Sequence, residues 1–194
     1  MQRTIKAISI GIILGVISII PLLFDNVVTQ WLVGLKYNKN FFYQEAQGSN
    51  DANLWLRFYT AFHGLVASDK SQGLYLISTT DTDGKKYEKG KCYEVEGEDM
   101  QAKFWSLTAY GLDNKVLGDK ENTSINNKSV KMDKGKFSAM IVANKSEAKG
   151  KENIMILGEN DFKLVLRLYG PSETVVDNPQ IVKVPVIKEV KCGQ

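Results

Sequence analysis

The sequence predicts a mainly β domain held behind an apolar N-terminal helix. Three stretches carry that expectation. Ala102 to Leu117, AKFWSLTAYGLDNKVL, alternates apolar and aromatic residues with Ser106 and Thr108, the period-two pattern of a strand with one face in a core. Phe162 to Pro171, FKLVLRLYGP, sets Phe162, Leu164, Leu166 and Leu168 on one face and Lys163, Val165, Arg167 and Tyr169 on the other. Ala7 to Phe24 is apolar apart from Ser9 and Ser18, with no charge before Asp25.

The apolar run is about 18 residues, just enough to span a bilayer core as a helix. No small-x-small cleavage pattern follows it, so an uncleaved signal anchor is expected over a removed signal peptide or a buried soluble helix. Arg3 and Lys6 keep the N-terminus cytoplasmic and set the chain from Asp25 outside. Pro21 introduces a kink near the outer end. The expected division is an anchor over 1–24, a membrane-proximal helix and extended arm over 25–47, and a β domain over 48–194. In the second segment Val27, Val28, Trp31, Leu32 and Leu35 recur at helical spacing, and Trp31 and Tyr37 suit a membrane interface.

Asn50 or Asp51 is placed to cap a helix. Leu54, Phe58, Ala61, Phe62 and Leu65 form its stripe, which predicts an amphipathic helix over Asn53–Val66. From Gly73 the period changes. GLYLISTT and GKCYEVEG are strands around Asp81-Thr82-Asp83-Gly84, where a tight turn is favoured over a calcium loop because the later ligand positions are Lys and Tyr. Ala102–Leu117 is expected as a central hairpin turning at Gly111 and Asp113-Asn114. Further strands are expected over Lys136–Ala143, Asn153–Leu157, Phe162–Tyr169 and Ile181–Val190.

The chain has 194 residues and a net charge of +3, enough for one domain plus an anchor. Its lysines are interleaved with acidic residues and no nucleic-acid-binding signature occurs, so nucleic acid is not an expected partner. Single His63 has no second ligand at helical spacing, and no metal or cofactor is expected. There is no nucleophile elbow, phosphate-cradling loop or dinucleotide fingerprint. Cys92 and Cys192 sit in no Cys-x-x-Cys motif. Arg167 is a lone charge in a strongly apolar strand. Buried it requires a carboxylate or carbonyl partner, and exposed it is an ordinary surface residue.

Four segments together resemble one family: GSNDAN with LWLRFYTAFHGL, DTDGKKYEKGKCYEV, KFWSLTAYGLDNKVL and ENIMILGENDFKLVLRLYGP. They are similar to domain of unknown function 1214, on Arg57, Ala61, Gly64 and Leu65; Asp81, Asp83 and Gly84; Phe104 to Tyr110; Asn153; and Leu166 to Pro171. The family's Trp after the Asn is Ile154 here, and the loop Asn122–Ser129 departs from its text. The resemblance implies a jelly-roll-like antiparallel β-sandwich. It also implies a short, membrane-anchored, single-module type whose companion, domain of unknown function 1254, is encoded separately. The corresponding location is the bacterial inner membrane, with the domain in the periplasm or outside the cell. Short members carry a cysteine where Cys92 stands, and an oxidising compartment then favours a Cys92–Cys192 disulfide; two unrelated thiols are the alternative.

Two functions follow. One is a non-catalytic binding or interaction module, tethered to the lipid bilayer through Ala7 to Phe24. The other is a cell-envelope hydrolase or carbohydrate-active enzyme using carboxylates such as Asp81 and Asp83. The absence of a catalytic constellation favours the first. Candidate ligand contacts are Arg57, Trp105, Tyr110, Arg167 and Tyr169, with fold-determining roles as the competing explanation.

Overall fold

The computed structural model describes residues 2–19, 27–62, 68–118, 122–148 and 150–193. Helix α1 (Gln2–Ile19) is followed by α2 (Val27–Leu32), the hairpin β1 (Leu35–Asn38) and β2 (Phe41–Gln44), and α3 (Leu54–Phe62). Then come β3 (Gly73–Ser78), β4 (Cys92–Glu98), β5 (Ala102–Gly111), β6 (Ser124–Asn126), β7 (Lys136–Val142), β8 (Ile154–Ile156) and β9 (Phe162–Pro171). Helix α4 (Glu173–Asp177) and β10 (Val186–Val190) close the chain.

The strands form two sheets, six-stranded β1-β2-β3-β9-β5-β6 and four-stranded β10-β4-β7-β8. The inward residues of both sheets form one apolar core. Period-two alternation places them there. Trp105, Leu107 and Ala109 of β5 and Leu164, Leu166 and Leu168 of β9 are fully buried, facing Tyr93 and Val95 of β4 and Ala139 and Ile141 of β7. Trp105 stacks on Phe137 at 5.2 Å between ring centroids, and its indole N–H donates to Asp99 Oδ1 at 2.8 Å. Tyr87 stacks on Phe162 at 4.8 Å, with Tyr93 edge-on to both.

Gly97 faces this core from β4. A Cβ there would lie 2.5 Å from the Phe137 ring. Gly97→Ala is therefore expected to push Phe137 off Trp105 and cost about 1–3 kcal/mol, read as a lower midpoint in urea unfolding.

Several expectations meet a different local structure. The membrane-proximal helix ends at Leu32, and from Leu35, which the helical spacing includes, the chain is a hairpin that extends the larger sheet through the Phe42–Ile77 pair. Helix α3 is capped by Asn53, whose Oδ1 accepts the Leu56 amide at 2.8 Å, rather than by Asn50 or Asp51, because the chain turns helical only at Leu54. His63 and the rest of the expected helix lie outside the described residues. The central hairpin closes tightly, with Gly111 N donating to Lys115 O at 2.8 Å, but narrows to a single bridge at Val116. The long partner of β5 is β9. The last strand begins only at Val186, after Pro185, whose missing N–H cannot enter a ladder.

The sheets are not wholly antiparallel, since β8 runs parallel to β7. The chain crosses back over the outer face through a short turn of helix at Lys145–Ala148, and a crossover of that kind returns a strand in the same direction.

In α1, Ile8, Ile10, Ile12, Ile13, Leu14 and Val16 are exposed. Among the described residues no helix is long and apolar enough to cross a membrane. The part of the expected span over residues 20–24 lies outside them.

Candidate functional site

The face of the six-stranded sheet turned away from the core holds a cleft of about 380 Å³. Strand β9 supplies its floor. Because its even-numbered residues from Phe162 to Leu168 are taken by the core, Lys163, Val165, Arg167 and Tyr169 must point outward. Register brings their neighbours alongside: Tyr75 opposes Arg167 and Ile77 opposes Val165 from β3, while Tyr110 of β5 opposes Lys163. Phe42 and Tyr59 line the cleft from β2 and α3.

Arg167 is half-buried and neither of the two simple alternatives describes it. Its guanidinium carbon lies 4.8 Å from the centroid of the Tyr110 ring. Its Nη2 donates to Tyr110 Oη, and Nη1 approaches Thr108 Oγ1 at 3.5 Å. The Cα of Arg167 opposes Ser106 and that of Tyr110 opposes Lys163, so the two side chains lean toward each other along the strands. A cation over an aromatic face gains attraction without a full counter-ion. Among the described residues no carboxylate reaches ion-pair distance of Arg167, and no Asp or Glu lines the cleft. Lys163 Nζ donates to Asn114 Oδ1 at 2.6 Å.

Tyr75 and Tyr169 meet edge to face at 6.2 Å, and Phe104 lies 5.9 Å from Tyr169. Burial raises the Tyr169 phenol above its ordinary value, with Tyr75 adding to the rise and Arg167 opposing it. Tyr169 is thus a neutral hydroxyl at physiological pH.

Of the predicted contacts, Tyr110, Arg167 and Tyr169 converge here. Trp105 does not, since its odd place on β5 turns it into the core. Arg57 lies on α3 and donates to Ala52 O at 2.8 Å and Asn50 O at 3.0 Å, closing the loop before that helix. Neither arginine forms an ion pair among the described residues. Tyr75 and Ile77 were missed as site residues, although the alternation of Leu74 and Leu76 already set them on the opposite face.

The Asp81–Gly84 segment is a turn. Asp81 is buried, and its Oδ1 accepts the amides of Asp83 at 3.0 Å and Lys85 at 2.8 Å. Asp83 is exposed. Asp81→Ala leaves two turn amides unpaired and is expected to cost about 2 kcal/mol, seen as a drop in thermal midpoint, with Asp81→Asn intermediate. Among the described residues the one group of three metal-type ligands is Cys92, Glu147 and Cys192. Its sulfurs are joined to each other as a disulfide, with a Cα separation of 5.2 Å. The Glu147 carboxylate is occupied by the amides of Ala143 and Asn144 at 3.1 and 3.0 Å.

The family model described as Protein of unknown function (DUF1214) matches residues 72–173. The chain belongs to this family. The DUF1214 match takes in β3 through β9, and with them Tyr75, Tyr110, Arg167 and Tyr169; Phe42 and Tyr59 lie outside it. The crystal structure of the VPA0106 protein from Vibrio parahaemolyticus is similar, with a TM-score of 0.58 and 25% identity, over 73% of this chain and 36% of that one. An uncharacterised protein from Burkholderia cenocepacia aligns at a TM-score of 0.44 and 15% identity, over 68% of this chain and 33% of its own. No curated protein matches the chain. The chain spans about a third of the length of these two solved proteins.

Proposed function

We propose that this DUF1214 protein is a non-catalytic binding module of the cell envelope. Its anchor is Ala7 to Phe24 in the bacterial inner membrane, with the N-terminus cytoplasmic. Its domain is a jelly-roll-like sandwich that presents the cleft to the periplasm or the exterior. The observation that carries this reading is the cleft itself, a concave surface of aromatic side chains around Arg167. Such a surface, mainly apolar with a few convergent polar groups, is the usual form of a small-molecule site.

Hydrolysis by paired carboxylates needs an acid and a base facing one substrate. The acids considered for that role, Asp81 and Asp83, belong to the turn after β3, and Asp81 is consumed by backbone amides. The disulfide supports delivery to an oxidising compartment. The insertion of β9 between β3 and β5 supports the jelly-roll-like connection. A companion module on a separate chain, by family resemblance domain of unknown function 1254, belongs to the same proposal.

A fragment screen by NMR on the full chain in nanodiscs tests the binding role. Shift changes concentrated on the outward residues of β3, β5 and β9 are expected. A screen whose hits all map elsewhere, or that yields none, overturns it. Purification from membranes in mild detergent tests the companion, and recovery of this chain alone overturns that part.

A further inference from the structure

We propose that the cleft selects an organic anion: a carboxylate or sulfonate seated on Arg167, joined to an apolar or aromatic body lying along β3 and β9. The inference rests on the binding role assigned above and names the ligand class for that site.

Charge gives the first argument. The cleft has Arg167 and Lys163 on its floor and no acidic residue among the described lining residues. A half-buried cation without a counter-ion is partly desolvated and uncompensated, and an arriving anion supplies what is missing. Lys163 and Arg167 are four residues apart on one strand face, about 13 Å at the usual rise. Both formal charges on the floor are therefore positive, and no carboxylate among the described lining residues offers an ammonium group a counter-ion.

Geometry gives the second. Guanidinium carries five N–H donors in a planar fork. Tyr110 and Thr108 take one each, and among the described residues the Arg167 side chain makes no other hydrogen bond. The remaining donors suit a planar, two-oxygen acceptor, the arrangement in which arginine discriminates best. Tyr110 fixes the fork by lying beneath it and bonding to it, so the ordering cost is met before a ligand arrives.

Shape gives the third. Beside Arg167 the edge-to-face pair Tyr75–Tyr169 offers ring surface, and Ile77 and Val165 form an apolar strip toward Phe42. A simple inorganic anion would leave that strip wet. A molecule with an apolar body covers it, and the apolar area so removed from water adds to the charge contact.

The test uses the full chain in phosphatidylcholine nanodiscs, with empty nanodiscs as the blank, and three isosteric probes followed by fluorine NMR. These are trifluoromethylbenzoate, trifluoromethylbenzamide and trifluoromethylbenzylammonium. The benzoate is expected to bind at least tenfold more tightly than the other two. Arg167→Gln is expected to weaken the benzoate about tenfold while Lys188→Gln, which removes the same charge from the other sheet, leaves it unchanged. Should Arg167→Gln lose cooperative unfolding, the wild-type ranking and Lys163→Gln, expected to weaken the benzoate about threefold, decide the matter. Equal binding of benzamide or benzylammonium, or unchanged benzoate binding in a folded Arg167→Gln protein, overturns anion selection. In those cases, loss of probe binding in Tyr75→Ala would keep the binding role standing. If no probe binds, anion selection falls, and the fragment screen decides the binding role separately.

Discussion

Trp105→Ala is expected to cost about 4 kcal/mol of folding stability, within the usual range for truncating a buried Trp. That lowers the thermal midpoint by on the order of 10 °C for a domain of this size. Trp105 is fully buried at the centre of β5. Its removal empties the space against Phe137 and leaves Asp99 without the indole N–H it accepts at 2.8 Å. Trp105→Phe separates the two effects. It keeps an aromatic partner for Phe137 and loses the hydrogen bond, so its cost is expected near half that of alanine. Thermal and urea unfolding of both variants measure this, and a midpoint unchanged in Trp105→Ala would contradict the assignment of Trp105 to the core.

Breaking the Cys92–Cys192 disulfide is the second large effect. The bond closes a loop of 100 residues, for which the chain-entropy model gives about 4.7 kcal/mol and measured losses run about 2–5 kcal/mol. Cys192→Ser is the cleaner variant, because Cys192 is exposed whereas Cys92 is buried against Met140, Val142 and Ala148. A drop of about 2–5 kcal/mol is expected, matched by wild-type protein in reductant, with no further loss when reductant is added to Cys192→Ser. Thiol labelling of denatured, unreduced protein is expected to find none free, and two after reduction. Two labelled thiols before reduction would rule the bridge out.

The sequence made some of this architecture legible and hid the rest for identifiable reasons. β5 and β9 announce themselves because the residues of one face are apolar at alternate positions along ten-residue strands, even though Ser106, Thr108 and Val165 on the opposite faces are buried too. The second face of β9 was readable to the residue, including Arg167. By contrast β6 is three residues long, too short for any period, whereas the equally short β8 lies inside the strand expected over Asn153–Leu157. Phe41-Phe42-Tyr43 is aromatic at consecutive positions, so β2 shows no alternation although only alternate residues face the core. The parallel direction of β8 depends on where the crossover lands, which no local pattern encodes.

The cleft lies between these cases. Its cation was visible as an oddity, but its shape depends on register between β3 and β9, which are distant in sequence. Tyr75 becomes Arg167's neighbour only through that pairing. Trp105 misled in the opposite sense. Its residue type suggests recognition, and only the parity of its position on β5 assigns it to the interior.

The position of β9 in the larger sheet also governs when the molecule can fold. It separates β3 from β5, yet it is made long after both, so although β2 and β6 can pair with them on their far sides, the facing edges of β3 and β5 stay open until residues 162–171 have emerged. Pairings across such separations are slow to form. A nascent chain cut short before Phe162 would display two unsatisfied strand margins, an invitation to aggregation, so those margins need shielding until β9 has been made.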